Sequence, residues 1–166
     1  MVTRFGPVSG GEPASNGLQV CLFGLGEAGS LLAGDLVAAG AVVTAYDPAE
    51  VGTPGGVTRR AHPALALRPV DRSVDLVMAA TGGADARLAL LQAIDAIDAG
   101  TVYADVSTAA PGEKLDLADE AIRRDVDFVD VALMGMVPGH GLATPALAAG
   151  PGANRFAELV NPLGAR

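Results

Sequence analysis

The chain has 166 residues, half of them hydrophobic, a formal net charge of −8 at pH 7 and a single cysteine. That length suits one domain with a full core. The acidic balance argues against nucleic acid and anionic membrane surfaces as partners, and no apolar run reaches the length of a membrane span. One cysteine, Cys21, excludes an intrachain disulfide and a cysteine-based metal site, and no metal site is expected.

Residues 1–16 mix Gly, Pro, Ser and charge without an apolar core like that of a secretory signal. They read as a disordered leader to a domain over residues 17–166 of a cytoplasmic protein. Residues 18–23 then form an apolar run of strand length, ending in the glycine loop Gly24-Leu25-Gly26-Glu27-Ala28-Gly29. In a strand–loop–helix setting this spacing is a dinucleotide-binding fingerprint. Gly24 permits a tight turn, Gly26 lets backbone approach a pyrophosphate, and Gly29 lets the new helix pack on the strand. The free N–H groups and positive dipole end of that helix then face the phosphates.

The helix is expected over residues 27–39 and stops at Gly40. A second strand over residues 41–46 delivers Asp47 to its carboxyl end, about 20 residues beyond Gly26, where a carboxylate accepts hydrogen bonds from ribose hydroxyls. NAD or NADP is therefore the expected cofactor. Asp47 favours NAD, while Arg59 and Arg60 lie close enough in sequence to meet a 2′-phosphate. A short strand near Val57 and a short helix over residues 64–67 follow.

Residues 74–80 form a third clear strand, ended by Thr81-Gly82-Gly83. Leu88, Leu91, Ile94 and Ile97 then fall on one face of a helix over residues 84–99. Residues 101–105 and 126–131 are strands, separated by a helix that Pro111 opens. A short strand over residues 146–149 and a helix over 154–160 complete the pattern. Such alternation predicts an α/β, Rossmann-type fold, a mainly parallel sheet with helices on both faces.

Four stretches together resemble the β-hydroxyacid dehydrogenases, which include 3-hydroxyisobutyrate and 6-phosphogluconate dehydrogenases. They are the glycine loop with its helix; Ala104-Asp-Val-Ser107-Thr108 with Pro111; Phe128-Val-Asp130-Val-Ala-Leu-Met134-Gly135-Met136; and Thr144-Pro-Ala-Leu-Ala-Ala-Gly150. The resemblance implies that Ala80 and Thr81 line the cofactor's path and that Ser107 and Thr108 lie near the nicotinamide ribose and a small hydroxy-acid-type substrate. On the residues alone, Ser107-Thr108 equally reads as a cap for the helix at Pro111.

The substrate motif departs from the family. Met134, Gly135 and Met136 stand where a serine and two glycines are usual, and a thioether cannot donate a hydrogen bond to a carboxylate. The methionines instead suggest an apolar pocket, or a surface for self-association or a separate helical partner. Family members also carry an all-helical C-terminal domain whose lysine is the general acid/base, and this chain stops at Arg166 before any such domain. Its only lysine, Lys114, reads as a solvated surface charge. His62 and His140 read as exposed loop residues, so no catalytic residue is assigned.

The expected function is cofactor binding for an oxidoreductase, not catalytic alone. The alternatives are a non-catalytic nucleotide-binding module regulating a partner and, more weakly, a methyltransferase using S-adenosylmethionine. The latter enzymes usually place an acid where Phe23 stands.

Overall fold

The computed structural model describes residues 2–4, 17–68 and 73–166. It is built on a single eight-stranded sheet. In chain order the strands are β1 (Val2–Arg4), β2 (Gln19–Phe23), β3 (Val42–Tyr46), β4 (Thr58–Arg60), β5 (Leu76–Ala79), β6 (Val102–Asp105), β7 (Asp127–Leu133) and β8 (Ala146–Ala149). Across the sheet they run β1-β8-β7-β6-β5-β2-β3-β4. The six from β7 to β4 are parallel, and β8 and β1 are antiparallel to their neighbours.

β2 is interior, paired with β3 on one side and β5 on the other. From β2 the chain builds outward through β3 and β4, then returns to add β5, β6 and β7 on the opposite side. The order therefore reverses between β2 and β5, and the crevice at the carboxyl ends of these strands is where an open parallel sheet receives ligands.

Helices cover both faces, as the alternation predicts. Leu32, Ala33 and Leu36 of α1 (Glu27–Ala38) and Phe156 and Val160 of α5 (Ala153–Val160) form one core with Val20, Leu22, Val43 and Met78. On the other face, α2 (Pro63–Ala66), α3 (Ala86–Ile94) and α4 (Pro111–Ile122) pack Ala66, Leu90, Ala93, Leu117 and Ala121 against Cys21, Phe23, Val77 and Tyr103. The strands are buried on both faces, which is why they read as continuous apolar runs. Burial pushes the Cys21 thiol up to about 12, opposed by a smaller hydrogen-bond effect from Thr44. Cys21 is thus a neutral core group, as its place within a strand suggested.

Three expectations need correction. Residues 2–4 of the leader form β1, because the outer edge of β8 offers unpaired backbone groups that a short extended segment satisfies; residues 5–16 lie outside the described residues. The helix expected over residues 84–99 is shorter. A 3-10 turn, Gly83–Asp85, precedes α3, which ends at Ile94. Its inward face is Ala86, Ala89, Leu90, Ala93 and Ile94, while Leu88 is exposed; the three alanines among them allow the close approach to the sheet.

Candidate functional site

The glycine loop leaves β2 at its carboxyl end. Gly24 has a φ of +90°, and a Cβ there would stand 2.6 Å from the Ala80 carbonyl oxygen of the neighbouring strand connection. At Gly29 a Cβ would stand 2.0 Å from the Gly24 carbonyl oxygen, so these two glycines bring loop, helix and β5 together. Gly26 is different. Its backbone is extended, with φ −64° and ψ −168°, and nothing lies within 4 Å of where its Cβ would be. The open space at Gly26 is suited to a ligand.

Asp47 closes on this loop. Its Oδ2 accepts a hydrogen bond from the Leu25 N–H at 2.7 Å and its Oδ1 one from the Ala49 N–H at 2.8 Å. Each oxygen keeps further acceptor capacity. Arg59, on β4, donates through Nη2 to the carbonyls of Asp47 and Ala49 at 3.0 and 2.6 Å, clamping the same turn.

Two cavities open along the crevice and meet at Ala80 and Thr81. One, of about 350 Å³, is bounded by Gly24, Gly26, Tyr46, Asp47 and Ala89. The other, of about 820 Å³, is bounded by Ala28, Ser107, Thr108, Lys114, Asp130 and Gly135. At the junction Thr81 Oγ1 is buried without a hydrogen-bond partner among the described residues. A buried hydroxyl left so is a place where a ligand atom supplies the missing bond. The paired cavities, the open backbone at Gly26 and this hydroxyl together suit a two-part, phosphate-linked ligand.

Of the remaining sequence-assigned residues, Leu25 is buried beneath the loop and Glu27 is exposed away from both cavities. Met134 and Met136 are 59% and 74% exposed and do not line either cavity. The apolar pocket expected of them is not formed. The chain turns outward as β7 passes to β8, with the Met134 N–H donating to the Pro145 carbonyl. His140 is exposed and outside the lining, and His62 caps α2, accepting at Nδ1 from the Ala64 N–H.

Ser107 does not cap α4, whose N-cap is Ala110. Its backbone N–H and hydroxyl instead donate to the two carboxylate oxygens of Asp105, at 2.9 and 3.1 Å.

The largest departure is Lys114, expected on the surface and found 8% exposed. Asp105, which closes β6, and Asp130, midway along β7, are register partners. Two carboxylates so close repel each other, and Asp105 is fully buried. Lys114 reaches them from the first turn of α4. Its Nζ lies 3.1 Å from Asp105 Oδ2, 3.1 Å from the Asp105 carbonyl and 2.8 Å from Asp130 Oδ1. The sequence does carry a signal for this cluster. Each of two apolar strands contains an aspartate, and the single lysine lies on the helix that connects them.

The chain matches, over residues 19–163, the family described as the NAD-binding domain of 6-phosphogluconate dehydrogenase. It is 25% identical over 150 residues to 2-(hydroxymethyl)glutarate dehydrogenase of Eubacterium barkeri, a match covering 88% of this chain and 50% of that protein. Its fold is similar to that of a conserved hypothetical protein from Sinorhizobium meliloti 1021, with a TM-score of 0.78, 25% identity and coverage of 92% and 53% of the two chains. It is also similar to Mycobacterium tuberculosis 3-hydroxyisobutyrate dehydrogenase solved with L-serine, with a TM-score of 0.73, 25% identity and coverage of 90% and 52%. The chain thus spans about half the length of the curated relative it matches. Because the family match spans residues 19–163, most of the chain, the chain belongs to the family of the NAD-binding domain of 6-phosphogluconate dehydrogenase.

Proposed function

We propose that this chain supplies the cofactor-holding part of an oxidoreductase acting on a small hydroxy-acid-type substrate, with NAD preferred over NADP. The observation that carries the reading is the pair of cavities meeting at Thr81. Gly26 and the start of α1 would hold the pyrophosphate, Asp47 the adenosine ribose, and Thr81 and the Ser107–Thr108 segment the nicotinamide side. Ser107 is tied to Asp105, which holds this segment in place at the cavity wall. Hydride acceptance is the bound cofactor's chemistry, and this chain's residues bind and orient it.

The preference for NAD rests on Asp47, whose carboxylate repels a 2′-phosphate. Arg59 supports the same preference, because its Nη2 is engaged by two backbone carbonyls of the Asp47 turn. The test is calorimetric titration of NAD and NADP into the full chain. NAD is expected to bind more tightly, and Asp47→Ala to narrow the difference by about 1–3 kcal/mol, since ribose hydroxyls lose a charged acceptor. Tighter NADP binding by the unaltered chain would show that Arg59 leaves its carbonyls for the phosphate, overturning the preference.

A further inference from the structure

We propose that Asp130, held in place by Lys114, is the specificity-determining residue of the larger cavity, and that it selects a ligand carrying a cationic ammonium group over one presenting only a carboxylate. The inference rests on the functional reading above and narrows its substrate class, from hydroxy acids at large to those that also carry an ammonium group, since it concerns the substrate side of the same crevice.

The argument begins with hydrogen-bond capacity. An ammonium has three N–H bonds and accepts none. Lys114 Nζ has three acceptors around it: Asp105 Oδ2, the Asp105 carbonyl and Asp130 Oδ1. It therefore has no N–H left to offer an anion in the cavity. The Ser107 hydroxyl donates to Asp105, and the Met134 side chain, outside this lining, has no hydrogen-bond donor. The hydroxyls of Thr81 and Thr108 are neutral and serve donors and acceptors alike. Every charged donor on this wall is thus already engaged.

Charge points the same way. Among the described residues lining the cavity, Lys114 and Asp130 are the charged side chains, with Asp105 directly behind them. Two carboxylates and one ammonium leave one net negative charge, and its accessible part is Asp130, whose side chain is 40% exposed. Lys114 fixes one oxygen of Asp130. The other has no protein partner among the described residues and is free to accept. A carboxylate entering here meets a like charge without a charged donor, whereas an ammonium finds a fixed, pre-oriented acceptor in a largely apolar surround.

The test uses two probes with one branched carbon skeleton, isobutylammonium and isobutyrate, titrated into the full chain with and without saturating NAD. Ligand-observed saturation-transfer NMR reads the affinities. Isobutylammonium is expected to bind about fivefold or more tightly than isobutyrate, a preference that falls as salt is added. Asp130→Asn, nearly isosteric, should bring the two within about twofold, and Asp130→Glu should restore the order.

Equal or tighter binding of isobutyrate, binding of neither probe, or an unchanged preference in Asp130→Asn would overturn the proposal. Should the asparagine variant unfold, a wild-type preference indifferent to salt would do so as well. The two readings fail separately: absence of NAD binding in the arm with NAD counts against the cofactor assignment, while the probe order in the arm without NAD decides the role of Asp130.

Discussion

Replacing Lys114 by methionine is expected to destabilise the chain by about 3–5 kcal/mol, the usual consequence of removing one partner from a buried ion pair. The side chain is 10% exposed and the Asp105 side chain 1%, so solvent does little to screen what remains. Methionine matches the length and fills the space, yet leaves Asp105 buried beside Asp130 with no cation between them. The carbonyl of Asp105 loses a donor as well. Urea unfolding of the full chain measures the loss. Adding Asp105→Asn to Lys114→Met should recover a large part of it, because the more exposed Asp130 tolerates losing its partner. A loss below about 1 kcal/mol, as for an exposed charge, would show that the cluster is not formed.

The second large effect separates two glycines of the same helix. Alanine for glycine within a helix ordinarily stabilises by up to about 1 kcal/mol. Gly34 meets that case: a Cβ there would find only the Pro54 Cβ, at 4.0 Å. At Gly29 the added carbon would lie 2.0 Å from the Gly24 carbonyl oxygen and 3.3 Å from Leu22 Cδ2. A backbone oxygen fixed by a tight turn cannot move aside as a flexible side chain can. Gly29→Ala should therefore cost about 2–3 kcal/mol despite its better helix propensity, while Gly34→Ala should gain about 0.5–1 kcal/mol. Melting of the two single variants checks both signs, and stabilisation by Gly29→Ala would refute the close packing of α1 on β2.

The architecture was legible in the sequence because the strands of a doubly covered sheet are apolar along their length and the glycine loop marks one junction unambiguously. The Asp47 position could be found by counting along the chain, since β3 is short and its end is fixed by the turn at Pro48. Lys114 could not be found that way. Its burial depends on two aspartates that become neighbours only when β6 pairs with β7, so the signal lies in those strands and not in the helix, whose exposed face carries Glu113 and Asp116. Met134 and Met136 misled in the opposite sense. Apolar side chains beside a predicted substrate motif suggest a pocket, but the handover from parallel β7 to antiparallel β8 turns this segment outward. Likewise β1 had no periodic signal to read, since pairing along the open edge of β8 requires only an extended backbone.

On the proposed reading a nicotinamide dinucleotide would cross Gly26 in the smaller cavity before it reaches the junction at Thr81, and Gly26→Val blocks that path. Valine fits the free protein there, because the backbone is extended and no atom lies within 4 Å of the added carbon. It would, however, occupy the space through which a pyrophosphate approaches the loop. Calorimetric titration of NAD should show one site in the unaltered chain and a loss of tenfold or more in affinity in Gly26→Val, about 1.4 kcal/mol or greater. The variant's free energy of unfolding should stay within about 0.5 kcal/mol of the parent's. NAD binding equally well to both proteins, or to neither, would refute this path for the cofactor.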